Sequence, residues 1–171
     1  MDDALKIADE ISQAFNADSE THNRIVDHTV FPFARSLNDL TDAEKCSKLT
    51  VLLSHENPFT RYWGAVTALS YKVLKKEALT ALLNILDFKF PEVPPSEQTE
   101  EEREYRMSYG LLEMEVETTL VELFRTKKIG SYPGQVKNNK DYILSTPRFA
   151  VFYYRIKTKF MKDTALPDKN S

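Results

Sequence analysis

Apolar residues recur at intervals of three and four along most of residues 3–124, and this spacing is typical of helices with one buried face. The first run predicts a helix over residues 3–16, half buried against a partner. Its predicted buried face holds Leu5, Ala8, Ile11 and Phe15. Asp18 and Ser19 then offer N-caps to a second helical segment. Its apolar positions are Ile25, Val26, Val30 and Phe33, and Pro32 is expected to kink or end it, because proline lacks a backbone N–H.

Two capping motifs predict the starts of the central helices. Thr41 and Glu44 have the spacing of a capping box, and the helix after them is expected to bury Leu49, Leu52 and Leu53. Asn57-Pro58 places an N-cap before a proline at the first helical position. The apolar stripe that follows is Phe59, Tyr62, Trp63, Val66, Leu69 and Val73, with Trp63 expected in the core.

A short link separates this stripe from a further helix predicted over residues 75–88, so the two should form an antiparallel hairpin. The predicted apolar face of the second arm is Ala78, Leu79, Leu82, Ile85 and Leu86. Residues 91–104 are rich in proline and glutamate, which predicts an exposed segment running into a helix. The stripe of that helix is Tyr105, Tyr109, Leu112, Val116, Leu120 and Leu123. Its end is expected near Lys127, Lys128 and Gly130, because basic residues and glycine suit a helix C-terminus.

The C-terminal part is basic and aromatic. Residues 131–139 are polar and predict a long connection, and residues 147–162 predict a final helix. Its apolar face would hold Phe149, Phe152, Ile156 and Phe160, flanked by Arg148, Arg155, Lys159 and Lys162. Residues 149–154 also suit a strand, so both alternatives remain open.

The formal net charge of −3 conceals two oppositely charged parts. Residues 1–124 hold 12 Lys and Arg against 23 Asp and Glu, a net charge of −11, whereas residues 125–171 hold 11 against 3, a net charge of +8. Ten of the acidic residues fall between positions 92 and 122. Two interpretations stay open: an ordinary solvated helix face, or a docking surface that would steer and select a cationic partner.

Candidate chemistry is sparse in this sequence. Only 4 glycines are present, without a phosphate-binding loop, and the lone Cys46 excludes an internal disulfide and a cysteine metal cage. The spacing of His22, His28 and His55 does not suit a metal site, and Cys46 has no evident base to activate it. We therefore expect no catalytic residues, no metal and no cofactor. Without an N-terminal apolar run of signal or membrane-span length, a cytoplasmic protein without membrane contact is expected.

The block LTVLLSHENPFTRYWGAVTALSYKVLKKEALTALLNIL, residues 49–86, resembles a HEAT-like repeat. Together with Asn23-Arg24 and LLEMEVETTLVELF at 111–124, it resembles a bacterial family of small HEAT-like proteins catalogued as a domain of unknown function. The expected fold is therefore all-α, with residues 1–171 as a single domain of helical hairpins stacked in a short right-handed solenoid or bundle. The segments 91–104 and 131–171 depart from the family pattern.

The resemblance implies a protein-binding role beside bacterial toxins rather than an enzyme. The hypothesis is an immunity protein that covers the active site of a basic toxin domain. The residues expected to bind the partner are Glu100, Glu101, Glu104, Glu115 and Glu122. Two alternatives stay open: a HEAT-like nucleic-acid binder or DNA-repair glycosylase that uses the basic C-terminal helix, and a structural scaffold subunit. The oligomeric state is not predicted.

Overall fold

A computed structural model describes residues 2–125, 128–129 and 132–133 of the chain. These residues are helical apart from loops and two very short strands. The helices are α1 (Asp2–Ser12), α2 (Ser19–Ile25), α3 (Phe31–Ser36), α4 (Asp42–Leu53), α5 (Pro58–Ser70), α6 (Lys75–Asp87) and α7 (Glu100–Arg125). A π-helical turn (Val26–Val30) joins α2 to α3, and a 3-10 turn (Pro95–Glu97) precedes α7. Strand β1 (Lys128–Ile129) pairs antiparallel with β2 (Tyr132–Pro133).

The core lies around α5, which packs against α1, α4, α6 and α7. The predicted stripes of the second hairpin arm and of α7 are buried, apart from Tyr105, which is partly buried. Helix α7 is described to Arg125, close to the predicted end near Lys127, and β1 begins at Lys128. The predicted helix over 147–162 lies outside the described residues, as does most of the connection 131–139.

Both predicted capping motifs are present. The Thr41 hydroxyl accepts a hydrogen bond from the backbone N–H of Glu44 at 3.3 Å, and the Glu44 carboxylate accepts one from the N–H of Thr41 at 2.8 Å. The Asn57 side-chain oxygen accepts from the N–H groups of Phe59 and Thr60 at 2.9 and 3.2 Å. These bonds satisfy donors that a helix leaves free in its first turn, so the local sequence explains where α4 and α5 begin.

The predicted face of α1 is partly wrong. Leu5 is 51 % exposed, whereas Ala4 is 1 % exposed. The buried positions are Ala4, Ala8 and Ile11, an i, i+4, i+7 row that packs toward α4 and α5. The small side chains of Ala4 and Ala8 suit a close packing of helices, and this contact turns Leu5 outward. The helix also ends at Ser12, and Phe15 is buried from the turn that follows.

Pro32 neither ends nor sharply breaks the second segment. The N–H of Phe31 donates to the carbonyl of Val26, five residues earlier, which closes the π-helical turn. Pro32 then lies in the first turn of α3, where a helix tolerates a residue without an N–H. The missing donor is therefore accommodated by a change of helix type rather than by a chain break.

Helices α4 and α5 approach closely at Gly64. A Cβ at this position would lie 2.8 Å from the Cβ of Leu52, closer than real Cβ atoms come to a neighbour. The absence of a side chain at Gly64 therefore gives the two helices the room to pack at this distance. No helix of the described residues combines the length and the apolar character needed to cross a membrane.

A candidate docking groove beside α7

A groove of about 610 Å³ lies between α2, α5 and α7. Its floor is aromatic and is formed by Phe15, Phe59, Tyr62 and Trp63. His22 and Val26 border it from the segment α2 and the π-helical turn, and α7 forms the other wall. Concave apolar sites of this size are common places for a ligand or a partner side chain to bind.

The rings of the floor hold one another in place. The Trp63 ring lies nearly perpendicular to that of Phe59 at 6.1 Å between centroids, and at 5.4 Å from that of Tyr62. Phe15 packs against Phe59 at 6.5 Å, and the His22 ring lies 5.1 Å from Phe59. Edge-to-face pairs at these distances are favourable, so the floor is preformed rather than assembled by a partner.

Trp63 was predicted in the core, but it is only partly buried and lines the groove. Its Nε1 is buried and has no hydrogen-bond acceptor among the described residues. Phe31, 43 % exposed, packs edge-to-face on the Trp63 ring at 6.0 Å. The two rings give this side of the molecule an apolar surface that continues from the groove.

Helix α7 carries an exposed apolar row opposite its buried stripe. Met107, Leu111 and Met114 are 65, 61 and 65 % exposed, respectively. Their i, i+4, i+7 spacing places them on one side of the helix, and Leu111 and Met114 line the groove. A single exposed apolar residue needs no explanation, but a row that continues into an apolar groove marks an interaction surface.

The glutamates predicted to bind a partner adjoin this apolar row. Glu100, Glu101, Glu104 and Glu115 are exposed, and Glu115 also lines the groove. Glu122 is a helical position of α7 whose side chain lies outside the described part. On a helical wheel the five positions fall within about 100° of arc, and Leu111 lies inside the same sector. The fold therefore places the predicted carboxylates beside apolar side chains that sequence analysis left out.

Glu100, Glu101, Glu104 and Glu115 form none of the ion pairs found in the described residues. The pairs Lys45–Asp42, Lys48–Asp3 and His55–Asp9 all lie outside α7. These four carboxylates therefore form an acidic edge of α7. It extends from the first turn of α7, where Glu100 and Glu101 are favoured by the positive end of the helix dipole.

Shifted carboxyl pKa values are explained by capping. Hydrogen bonds from the backbone and side chain of Thr21 hold the pKa of Asp18 below its ordinary value. The Thr41 hydroxyl and backbone N–H do the same for the pKa of Glu44. Both groups cap helix starts, and the hydrogen bonds of these caps account for their low pKa values.

The histidines and the cysteine are not gathered into one site. The His22 Nδ1 lies 3.0 Å from the carbonyl of Ala14, His55 pairs with Asp9 at 3.2 Å, and His28 is exposed on the π-helical turn. Cys46 is a free, partly buried thiol on α4. In the described part of the chain no three His, Cys, Asp or Glu residues are arranged to hold a metal ion.

Sequence analysis missed the groove and the apolar row. The signal for the row was present, because Met107, Leu111 and Met114 are apolar positions off the predicted stripe of their helix. The groove had no comparable signal, because its walls come from segments nearly a hundred residues apart. Comparison with known proteins adds no relative: no family model matches the chain, and neither a curated protein nor a solved structure shows significant similarity to it.

Proposed function

We propose that this protein is a non-enzymatic protein-binding module whose contact surface is the groove-side edge of α7. Its most specific form is a cytoplasmic immunity protein that neutralises a cognate bacterial toxin by covering the toxin's active site. One observation carries the proposal: exposed carboxylates and exposed apolar side chains share one edge of α7 beside a preformed groove.

The two kinds of side chain would make different contributions to binding. Burial of Met107, Leu111 and Met114 would supply affinity, at roughly 25 cal/mol per Å² of apolar surface removed from water before the costs of association. The carboxylates Glu104 and Glu115 would speed encounter with a basic surface and disfavour acidic partners. A toxin that cuts nucleic acid needs a basic substrate channel, and this negative edge could compete with the phosphates for it.

We also infer that α4, α5 and α6 are arranged as in a HEAT-like repeat. Helix α5 packs against both α4 and α6, and a link of only four residues separates α5 from α6. The close approach at Gly64 fits the tight stacking of such helices. Helical repeat proteins commonly use an extended surface to bind other proteins, which agrees with the proposed role.

The proposal is tested by co-expression with the gene immediately upstream, scored for rescue of growth. The wild type should rescue growth from a toxic neighbour. The double variant Glu104→Lys/Glu115→Lys should lose rescue and keep the wild-type melting temperature, because both side chains are exposed. The matched control is Asp39→Lys/Glu56→Lys, which reverses two exposed charges outside α7 and should still rescue.

Two outcomes would contradict the proposal in different ways. A toxic neighbour that remains toxic in the presence of the wild type would show that immunity to it is wrong. Full rescue by Glu104→Lys/Glu115→Lys would show that the acidic edge is not the contact surface.

A further inference from the structure

We propose that the groove between α2, α5 and α7 receives an amphipathic helix of the partner protein, with an apolar stripe toward the groove and basic residues along one flank. The inference rests on the proposed protein-binding function and names the segment that this surface recognises. It follows from the spacing of the exposed apolar row, the charge at its edge and the shape of the groove.

The apolar row has the geometry of one side of a helix-to-helix contact. Met107 and Met114 are separated by two helical turns, about 10 Å along the axis of α7. A helix that binds in a groove presents anchors at i, i+3 or i+4, and i+7, a spacing that matches this row. Methionine is flexible and polarizable, so Met107 and Met114 can adapt to the side chains of the incoming helix.

The charge beside the row favours a basic flank. Glu115 is the charged residue among the described residues that line the groove, and Glu104 lies in the same sector of α7. A lysine or arginine next to the apolar stripe of the incoming helix could reach these carboxylates. Acidic residues at the same positions would be placed against like charge, which disfavours binding.

The floor of the groove is prepared for apolar anchors. Phe59 is 7 % exposed and Tyr62 is 7 % exposed, and their rings stack at 6.4 Å, so neither needs to reorganise when a side chain enters. A rigid site avoids part of the entropy cost of ordering side chains on binding. Leu111 and Met114 on α7 would then close over the apolar stripe of the partner.

The full-length protein can be tested with a synthetic probe that has this chemistry. A peptide of residues 147–162 of this chain combines the spaced residues Phe149, Phe152, Ile156 and Phe160 with Arg and Lys. It contains no tryptophan, so Trp63, the lone tryptophan of the protein, reports occupancy of the groove by its fluorescence. We expect a saturable change in Trp63 emission with an affinity that weakens as salt is added.

A second peptide, with Glu at every Arg and Lys, tests the basic flank. It should bind at least about tenfold more weakly, a difference of about 1.4 kcal/mol. Equal binding of the two peptides would overturn the assignment of a basic flank. The absence of any Trp63 response to the basic peptide would overturn the proposal that the groove of the wild type receives a partner helix.

Matched variants test the position of the site. Leu111→Glu should abolish the fluorescence response, whereas Leu5→Glu, at a similarly exposed leucine of α1, should leave it unchanged. Both variants should melt at the wild-type temperature, because both side chains already face solvent. Undiminished binding by Leu111→Glu would overturn the proposal.

Other occupants of the groove would give distinct results. If the wild type ignores the probe but full-length Phe152→Glu/Ile156→Glu binds it, the chain's own C-terminal segment fills the groove and the partner-helix proposal is wrong. If the wild type sediments as a dimer that Leu111→Glu dissociates, a second copy fills it, and the proposal is again wrong.

Growth rescue separates this inference from the function on which it rests. Rescue that survives Leu111→Glu would overturn docking of a helix in the groove and leave the acidic edge and the immunity function standing. Failure of the wild type to rescue, together with probe binding that depends on Leu111, would overturn immunity and support the groove as a helix-binding site.

Discussion

The Tyr109 hydroxyl of α7 donates a hydrogen bond to the backbone carbonyl of Ile85 in α6, at 2.9 Å. Tyr109 is 3 % exposed. Ile85 lies in the last turn of its helix, where backbone carbonyls receive no hydrogen bond from an N–H of the same helix. The bond therefore gives a buried carbonyl its donor. It also fixes α7, the helix that carries the acidic edge, to α6 in the core.

Tyr109→Phe should lower the free energy of unfolding by about 1 kcal/mol, because the Ile85 carbonyl loses its donor. Denaturant unfolding at neutral pH would measure the change. Tyr105→Phe is the control, since no hydrogen bond of the Tyr105 hydroxyl occurs within the described part of the chain, and it should change stability much less. Equal losses in the two variants would mean that ring packing, not the hydrogen bond, accounts for the effect.

The free energy of unfolding should fall at alkaline pH because Tyr109 loses its proton. Burial raises the pKa of Tyr109 from 10.0 to about 12, so the folded state holds this proton more tightly than the unfolded chain does. The resulting stabilisation is complete below about pH 10 and is lost as the pH rises from about 10 to about 12. Unfolding curves of the wild type and Tyr109→Phe across this range would check it. If the unfolding free energies of the wild type and Tyr109→Phe change equally with pH, the loss of stability does not come from Tyr109.

Gly64 in α5 and Gly110 in α7 have different surroundings, so substitution by alanine should have opposite effects at the two positions. Gly64→Ala should cost about 1 to 3 kcal/mol, because the new Cβ would press on Leu52 and separate the helices. Gly110→Ala in α7 meets no atom within 4 Å and should stabilise the protein by about 0.5 to 1 kcal/mol through helix propensity. Thermal and denaturant unfolding measure both. A tolerated Gly64→Ala would show that α4 can move aside.

The cap of α5 predicts a loss at Asn57. Asn57→Ala removes the acceptor for the N–H groups of Phe59 and Thr60 and should cost about 1 kcal/mol in unfolding free energy. Asn16→Ala, at an exposed asparagine before α2, is the control and should lie within about 0.5 kcal/mol of the wild type. Similar values for the two variants would argue against the cap as the cause.

The face that α1 presents to the core can be tested at adjacent positions. Ala4→Leu adds volume at a site that is 1 % exposed and should destabilise the protein by about 1 to 3 kcal/mol. Leu5→Gln, at a site that is 51 % exposed, should change stability by less than about 0.5 kcal/mol. If Leu5→Gln destabilises the protein more than Ala4→Leu in denaturant unfolding, the buried face of α1 is the one predicted from the sequence.

Much of the helical structure is predictable because its causes are local. The capping bonds at Thr41 and Asn57 join residues two or three apart, and the stripe around Leu112 and Val116 reflects the helical repeat. The choice between Ala4 and Leu5 was not predictable, because both suit a helix and only the packing partner selects the buried one. At Pro32 the sequence indicated a departure from a regular α-helix, but not that the departure would be a π-helical turn.

The candidate docking surface depends partly on the sequence and partly on the tertiary structure. The carboxylates Glu104 and Glu115 and the contrast between an acidic body and a basic C-terminal part are properties of the sequence, since charge and helical spacing follow from residue identity. The position of Glu115 opposite Trp63 is a property of the tertiary structure, because the groove exists only where α2, α5 and α7 meet. Local spacing places side chains on one face of a helix, but long-range packing decides which face remains open to a partner.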